Sequence, residues 1–86
     1  MQRGWVVSPD YRAAIEAIKS VRISHDISQR ELARRLGKPP SFVNKIELLE
    51  RRLDILEFIA VAHALDADPT ELLGKVLSAI PSKIKI

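Results

Sequence analysis

The stretch from Ile27 to Glu47 reads ISQRELARRLGKPPSFVNKIE, and it divides into two short helices around a tight turn. Ser28 and Glu31 stand at capping-box spacing: the serine hydroxyl can accept from the Glu31 amide while the glutamate reaches back to the Ser28 amide. Ile27 and Leu32 flank that box as a hydrophobic staple. Leu32, Ala33 and Leu36 share one face of the first helix, and Gly37 ends it, because glycine takes the left-handed C-cap conformation without a Cβ penalty. A helix of about two turns does not persist in water without tertiary packing. Pro39 and Pro40 open the second helix, where the first-turn amides lack partners in any case. Val43, Ile46 and Glu47 lie on its inner face; Ser41, Phe42, Asn44 and Lys45 lie elsewhere on it. No stop signal follows, since Leu48, Leu49 and Glu50 are all compatible with helix.

Three more helices surround this pair. Ser8-Pro9-Asp10 is a start signal of capping residue, first-turn proline and acid. Behind it Tyr11, Ala14, Ile15, Ile18 and Arg22 fall on one stripe of helical period. An arginine closing an apolar stripe needs a partner if the stripe is buried. Leu53 to Leu65 forms another helix, with Ile55, Phe58, Ile59, Ala62 and Leu65 on one stripe and Leu53, Leu56, Ala60 and Ala64 on the other side. Ten of its thirteen residues are apolar, so burial of more than one face is expected. Asp68-Pro69-Thr70-Glu71 starts a last helix carrying Leu72, Leu73, Val76, Leu77 and Ile80, and Pro81 ends it. The reading is an all-α, compact five-helix bundle: one domain over 1–86, with its core in 8–80, the paired helices in 28–47, and flexible or dimer-forming ends at 1–7 and 81–86.

Eighty-six residues make one small domain with a thin core. Hydrophobic residues at 47% and charged residues at 29% are a globular mix. The absence of cysteine excludes disulfides, thiolate metal sites and cysteine nucleophiles. No apolar run reaches the roughly 18 residues that span a bilayer, and the first residues lack a signal peptide's apolar core. A cytoplasmic location, nucleoid-associated when DNA-bound, is the expectation, with no membrane partner. The net charge is +3, and it is uneven. Residues 1–52 hold 11 Lys/Arg against 6 Asp/Glu, and the remainder 3 against 5. Positive charge gathered on one portion of a small domain suits a surface facing a polyanion.

The wording Ser-Gln-x-Glu-Leu-Ala-x-x-Leu-Gly, followed ten residues on by Ile-Glu, resembles the Cro/C1-type (XRE) helix-turn-helix family of DNA-binding regulators. The continuation ERRLDILEFIAVAHALDADPTELL resembles that family's fourth and fifth helices. The resemblance covers Tyr11 to Leu73. It implies the lambda-repressor-like DNA-binding fold, with the third helix, about 39–49, in the major groove. By position it implies that Pro40, Ser41, Phe42, Asn44 and Lys45 face bases. Asn44 can read adenine N6/N7, and Lys45 can donate to guanine or to a phosphate. Phe42 can touch a thymine methyl or serve as a core or rim residue. Ser28 and Gln29 at the second helix's N-terminus, with Lys38, Arg51 and Arg52, fall to the DNA backbone. The resemblance also implies that Arg22 and Glu47 pair in a structural salt bridge.

Three positions depart from the family pattern. Pro40 stands where glutamine is frequent and cannot donate a hydrogen bond. Leu49 stands where a glycine commonly ends the third helix, so that helix runs longer or Leu48 and Leu49 form an exposed apolar knob. Asp26 replaces a common glycine, a mild change, since aspartate tolerates the left-handed region.

The function expected is sequence-specific double-stranded DNA binding by a small homodimeric transcriptional regulator on a near-palindromic operator. Leu53, Leu56, Ala60, Val61, Val76, Leu77 and Ile80 are the dimer candidates, with Trp5, Val6 and Val7 as an apolar arm. The alternative is an antitoxin-like or adaptor protein whose main role is binding another protein. No nucleophile–base–acid set and no metal constellation is visible, so no catalytic residue, metal or cofactor is expected. His25 reads as a solvated turn residue and His63 as a partly buried helix residue.

Overall fold

Ser8 sits in extended backbone and its Oγ accepts from the Tyr11 amide at 3.3 Å, which starts α1 (Pro9–Ser24). The computed structural model describes residues 8–84; Trp5, Val6, Val7 and Ile86 lie outside them. Four more helices follow: α2 (Gln29–Arg35), α3 (Pro40–Glu47), α4 (Ile55–Ala64) and α5 (Pro69–Ala79). No strand occurs among the described residues.

The first four helices all end the same way. A residue with positive φ follows each C-cap, and the next amide reaches back to the carbonyl five residues earlier. These residues are Asp26 at 59°, Gly37 at 68°, Leu49 at 64° and Asp66 at 57°. The reaching bonds are Ile27 to Arg22 O, Lys38 to Ala33 O, Glu50 to Lys45 O and Ala67 to Ala62 O, at 2.8–3.1 Å. This is the Schellman closure. It also settles the two alternatives at the end of α3. That helix stops at Glu47. Leu48 is exposed, but Leu49 is only 9% exposed and packs with Ile15 and Ile46. Only Leu48 is a knob.

α4 begins at Ile55, two residues later than its apolar run suggested, because Asp54 is the cap. Asp54 Oδ1 accepts from the Glu57 amide at 2.7 Å, and Glu57 Oε1 accepts from the Asp54 amide at 3.0 Å. The full capping box is therefore here. At Ser28 only half of the expected box forms: the Glu31 amide donates to Ser28 Oγ at 3.0 Å, while the Glu31 carboxylate turns to Arg34 and Arg35.

The core joins two clusters. The larger centres on Leu32, Ala33, Val43, Ala62, Leu65 and Leu72, the smaller on Ile15, Ile46 and Leu49. α1 packs along α5, and α2 packs against α3. The inner face of α4 differs from the expected stripe. Val61, Ala62 and Leu65 are buried, whereas Ile55 is 79% exposed and Ile59 also faces outward. A helix apolar nearly all round carries little periodic signal to set its rotation. Val61 and Val76, expected at a dimer face, are consumed by the chain's own core. His63 is exposed rather than partly buried. His25 is exposed in its turn, with Nδ1 2.6 Å from the Leu65 carbonyl oxygen.

Candidate nucleic-acid interface

The pair α2–α3 is held from behind by one polar node. Arg22 Nε donates to Glu47 Oε2 at 2.7 Å and Nη2 to Oε1 at 3.0 Å. Its Nη1 donates to the Ile27 carbonyl at 2.7 Å. The two side chains are 9% and 8% exposed. Gln29 Nε2 donates to Glu47 Oε1 at 2.7 Å. One carboxylate therefore ties the end of α3 to α1 and to the start of α2. A desolvated pair is tolerable only with its remaining polar atoms satisfied, and no buried side-chain N or O among the described residues lacks a partner.

With Val43 and Ile46 inward, α3 turns Pro40, Ser41, Asn44 and Lys45 to solvent as one face. Phe42 is half-buried and packs against both core clusters. Its ring is flanked by Lys38 Nζ at 5.5 Å and the Arg51 guanidinium at 4.6 Å from the centroid. It is a rim residue supporting two cations more than a side chain extended toward a base.

The residues expected at the DNA backbone divide. Lys38 is exposed beside the turn, and Ser28 caps α2. Gln29 has its amide nitrogen committed to Glu47. Arg51 makes two bonds to Glu57, at 2.9 and 2.7 Å. That pairing holds the Glu57 carboxyl below its usual range and raises the Arg51 pKa. Arg52 is exposed and lies over the Tyr11 ring at 5.8 Å.

Two further cations join this surface. Arg30 and Arg34 line, with Ser28, Glu31, Lys38 and Pro40, a shallow cleft of about 380 Å³ along α2 and beside the start of α3. Their spacing of four residues puts them on one helix face, a signal present in the sequence but not used in the expected set. Glu31 sits among these cations. Hydrogen bonds from Arg34, then from Arg35, pull its carboxyl from 4.5 to about 2.

The helix-turn-helix family model matches residues 18–72, which takes in the whole of α2, α3 and α4. The chain belongs to the Cro/C1-type (XRE) helix-turn-helix family. A solved XRE-family-like protein from Pseudomonas syringae pv. tomato str. DC3000 is 42% identical, with a TM-score of 0.75, over 84% of this chain and 88% of that one. The clp gene regulator ClgR from C. glutamicum has the same TM-score at 21% identity, over 88% of this chain and 99% of that one, a likeness of fold. No curated protein matches. As an XRE-family protein the chain is a DNA-binding protein of transcription regulation. The expected five-helix architecture is the one observed. No described helix is long and apolar enough to cross a membrane.

Proposed function

We propose that this XRE-family chain reads double-stranded DNA sequence-specifically as a homodimer, with α3 in the major groove. The observation that carries the reading is the division of α3. Val43, Ile46 and Glu47 anchor it, while Ser41, Asn44 and Lys45 stand together on an exposed polar face. Asn44 offers a donor and an acceptor to adenine, and Lys45 a donor to guanine or phosphate. Pro40 contributes shape at the N-terminus of α3 but no donated bond.

Backbone binding falls to the α2 side. Arg30 and Lys38 supply charge around the cleft, where Arg34 is already paired with Glu31, and the capped start of α2 directs amide dipoles outward beside them. Arg51 is a weaker contributor, because Glu57 already neutralises it. For a second copy, the exposed apolar side chains Leu56 and Leu77, with Ala60, are available; Leu53 and Ile80 are half-buried in the single chain.

The test is selection of bound duplexes from a random pool at about 150 mM salt, where non-specific phosphate binding is already weakened. The expected result is a paired, near-palindromic motif that Asn44→Ala and Lys45→Ala lose or relax at defined positions. Enrichment of no sequence, with binding that fades smoothly as salt rises, would sink the sequence-reading proposal and favour a protein partner.

A further inference from the structure

Phe42 stands in the first turn of α3 and is half-buried, packed against both core clusters. Its amide donates to the Pro39 carbonyl at 2.9 Å. Packing of that kind does not by itself require an aromatic ring, since cores accept hydrophobic exchanges that keep volume and pattern. Two cations lie over the ring. Lys38 Nζ is 5.5 Å and the Arg51 guanidinium 4.6 Å from its centroid. Both are inside the range at which the negative face of an aromatic ring attracts a cation. Lys38 precedes α3 in the chain and Arg51 follows it, so one ring gathers the charges from both ends of the helix.

Each cation is tied further into its surroundings. Lys38 also lines the cleft along α2. Arg51 Nη1 donates to the Arg52 carbonyl at 2.7 Å and to Glu57 Oε1 at 2.9 Å, and Nη2 donates to Glu57 Oε2 at 2.7 Å. The Glu57 carboxyl is held below its usual range chiefly by the hydrogen bond from Arg51, and the Lys38 charge adds to the effect. Two cations and one carboxylate are thus collected around one ring, with a net positive charge beside α3. An exposed lysine has much rotamer freedom to lose when it meets a phosphate. A side chain already resting on a fixed ring loses less, and that difference appears as affinity. We infer that Phe42 is a positioning residue for DNA-backbone binding: its ring seats Lys38 and Arg51, so that Lys38 meets a phosphate from a fixed place. The inference rests on the DNA-binding proposal. It predicts an effect on affinity for every sequence, not on the choice among sequences.

Replacing the Phe42 ring alone by mono-, tri- and pentafluorophenyl rings drains negative charge from its face with little change in size. Packing is kept while the seat for the cations is weakened. Affinity for a random-sequence duplex at low salt is expected to fall stepwise along that series, several-fold in all, with thermal midpoints held. In the double variant Lys38→Ala, Arg51→Ala the same series should have no effect. Phe42→Leu should bind as weakly as the pentafluorinated chain, and Phe42→Tyr should recover most of the loss. Without DNA, the Lys38 side-chain methylene protons should stand upfield of their usual NMR positions because of the ring current, and should return to them in Phe42→Leu. Affinity indifferent to fluorination, or falling equally in the double variant, overturns the inference and leaves the DNA-binding proposal in place. Unshifted Lys38 protons in the unmodified chain overturn it as well. A chain with shifted protons that binds no duplex sinks the DNA-binding proposal, and the role assigned to Phe42 falls with it. Should Phe42→Leu lose its helical signal, the fluorinated series still decides.

Discussion

Leu49 is a leucine in the left-handed region, at φ 64°, a conformation that costs an L-residue with a Cβ roughly 1–2 kcal/mol. The side chain is buried with Ile15 and Ile46, and losing such burial costs about 2–5 kcal/mol. Burial wins, so Leu49→Gly is expected to destabilise the fold by about 1–3 kcal/mol although it relieves the backbone. Asp66 has the same backbone with its side chain in solvent, and Asp66→Gly should shift stability by less than about 1 kcal/mol. Urea midpoints of the two variants give the comparison, and a stabilised Leu49→Gly would show that strain outweighs packing at that turn. Glu47 is the second decisive residue. Glu47→Ala strands the buried Arg22 guanidinium and releases Gln29, so a loss of about 3–5 kcal/mol is expected. The double variant Arg22→Met, Glu47→Leu should recover most of that loss, because no unpaired charge remains. Denaturant unfolding of the single and double variants checks this, and a double variant no better than the single would mean that the node contributes stability beyond charge compensation.

At the scale of a helix, α2 makes both a folding element and a charged surface from seven residues. Arg34 and Arg35 are held by Glu31, whose carboxyl they depress to about 2. A carboxyl lowered in the folded state contributes stability that is complete above its unfolded pKa and is lost as pH falls through the folded one. The window here runs from about 4.5 down to about 2. Glu31→Gln is expected to flatten the acid limb of the stability curve in that window, as followed by thermal midpoints from neutral pH downward. The same change frees the Arg34 guanidinium, while Arg35 keeps the Ala64 carbonyl and Asp66, and it should tighten DNA binding at low salt. The elements were legible in the sequence to unequal degrees. Ser28, Gly37 and the inner faces of α2 and α3 could be read because each short helix has one apolar phase and one punctuating residue. The rotation of α4 could not, because Ile55, Leu56, Ile59 and Val61 offer equivalent apolar faces and only tertiary packing chooses among them. The pairings of Gln29 with Glu47 and of Arg51 with Glu57 are not periodic features. They occupy an amide donor of Gln29 and the guanidinium of Arg51, two residues that position alone assigns to the DNA backbone. Arg30 and Arg34 were readable from their spacing alone.

At the scale of the whole molecule, charge and apolar surface are divided between regions. The Lys/Arg excess lies in residues 1–52, and its exposed part around Ser28, Arg30, Arg34 and Lys38 borders α3. If those cations meet phosphates, Arg30→Ala and Lys38→Ala should each lower the slope of log affinity against log salt by about 0.9 and weaken all sequences alike, whereas Asn44→Ala should change which sequence is preferred. Titrations at several salt concentrations on matched and mismatched duplexes separate the two classes. The described molecule measures 33 × 32 × 21 Å, and half-sites one helical turn apart are separated by about 34 Å. On the proposed reading one copy covers one half-site, and a palindrome calls for two copies joined away from α3. Leu56 and Leu77, 77% and 60% exposed, are the large apolar dimer candidates that the chain's own core leaves in solvent. Leu56→Asp and Leu77→Asp put a charge where a second copy would have to desolvate it, while in the single chain each site is already in water and the fold should hold. Sedimentation equilibrium should find both variants monomeric at concentrations where the unmodified chain is dimeric. Binding to a full palindrome should fall by about 10²-fold or more as the second half-site ceases to act intramolecularly, with binding to an isolated half-site unchanged. Variants that remain dimeric would move the interface off these two residues, and a chain that is monomeric before any substitution would leave the palindrome to be filled by two independent copies.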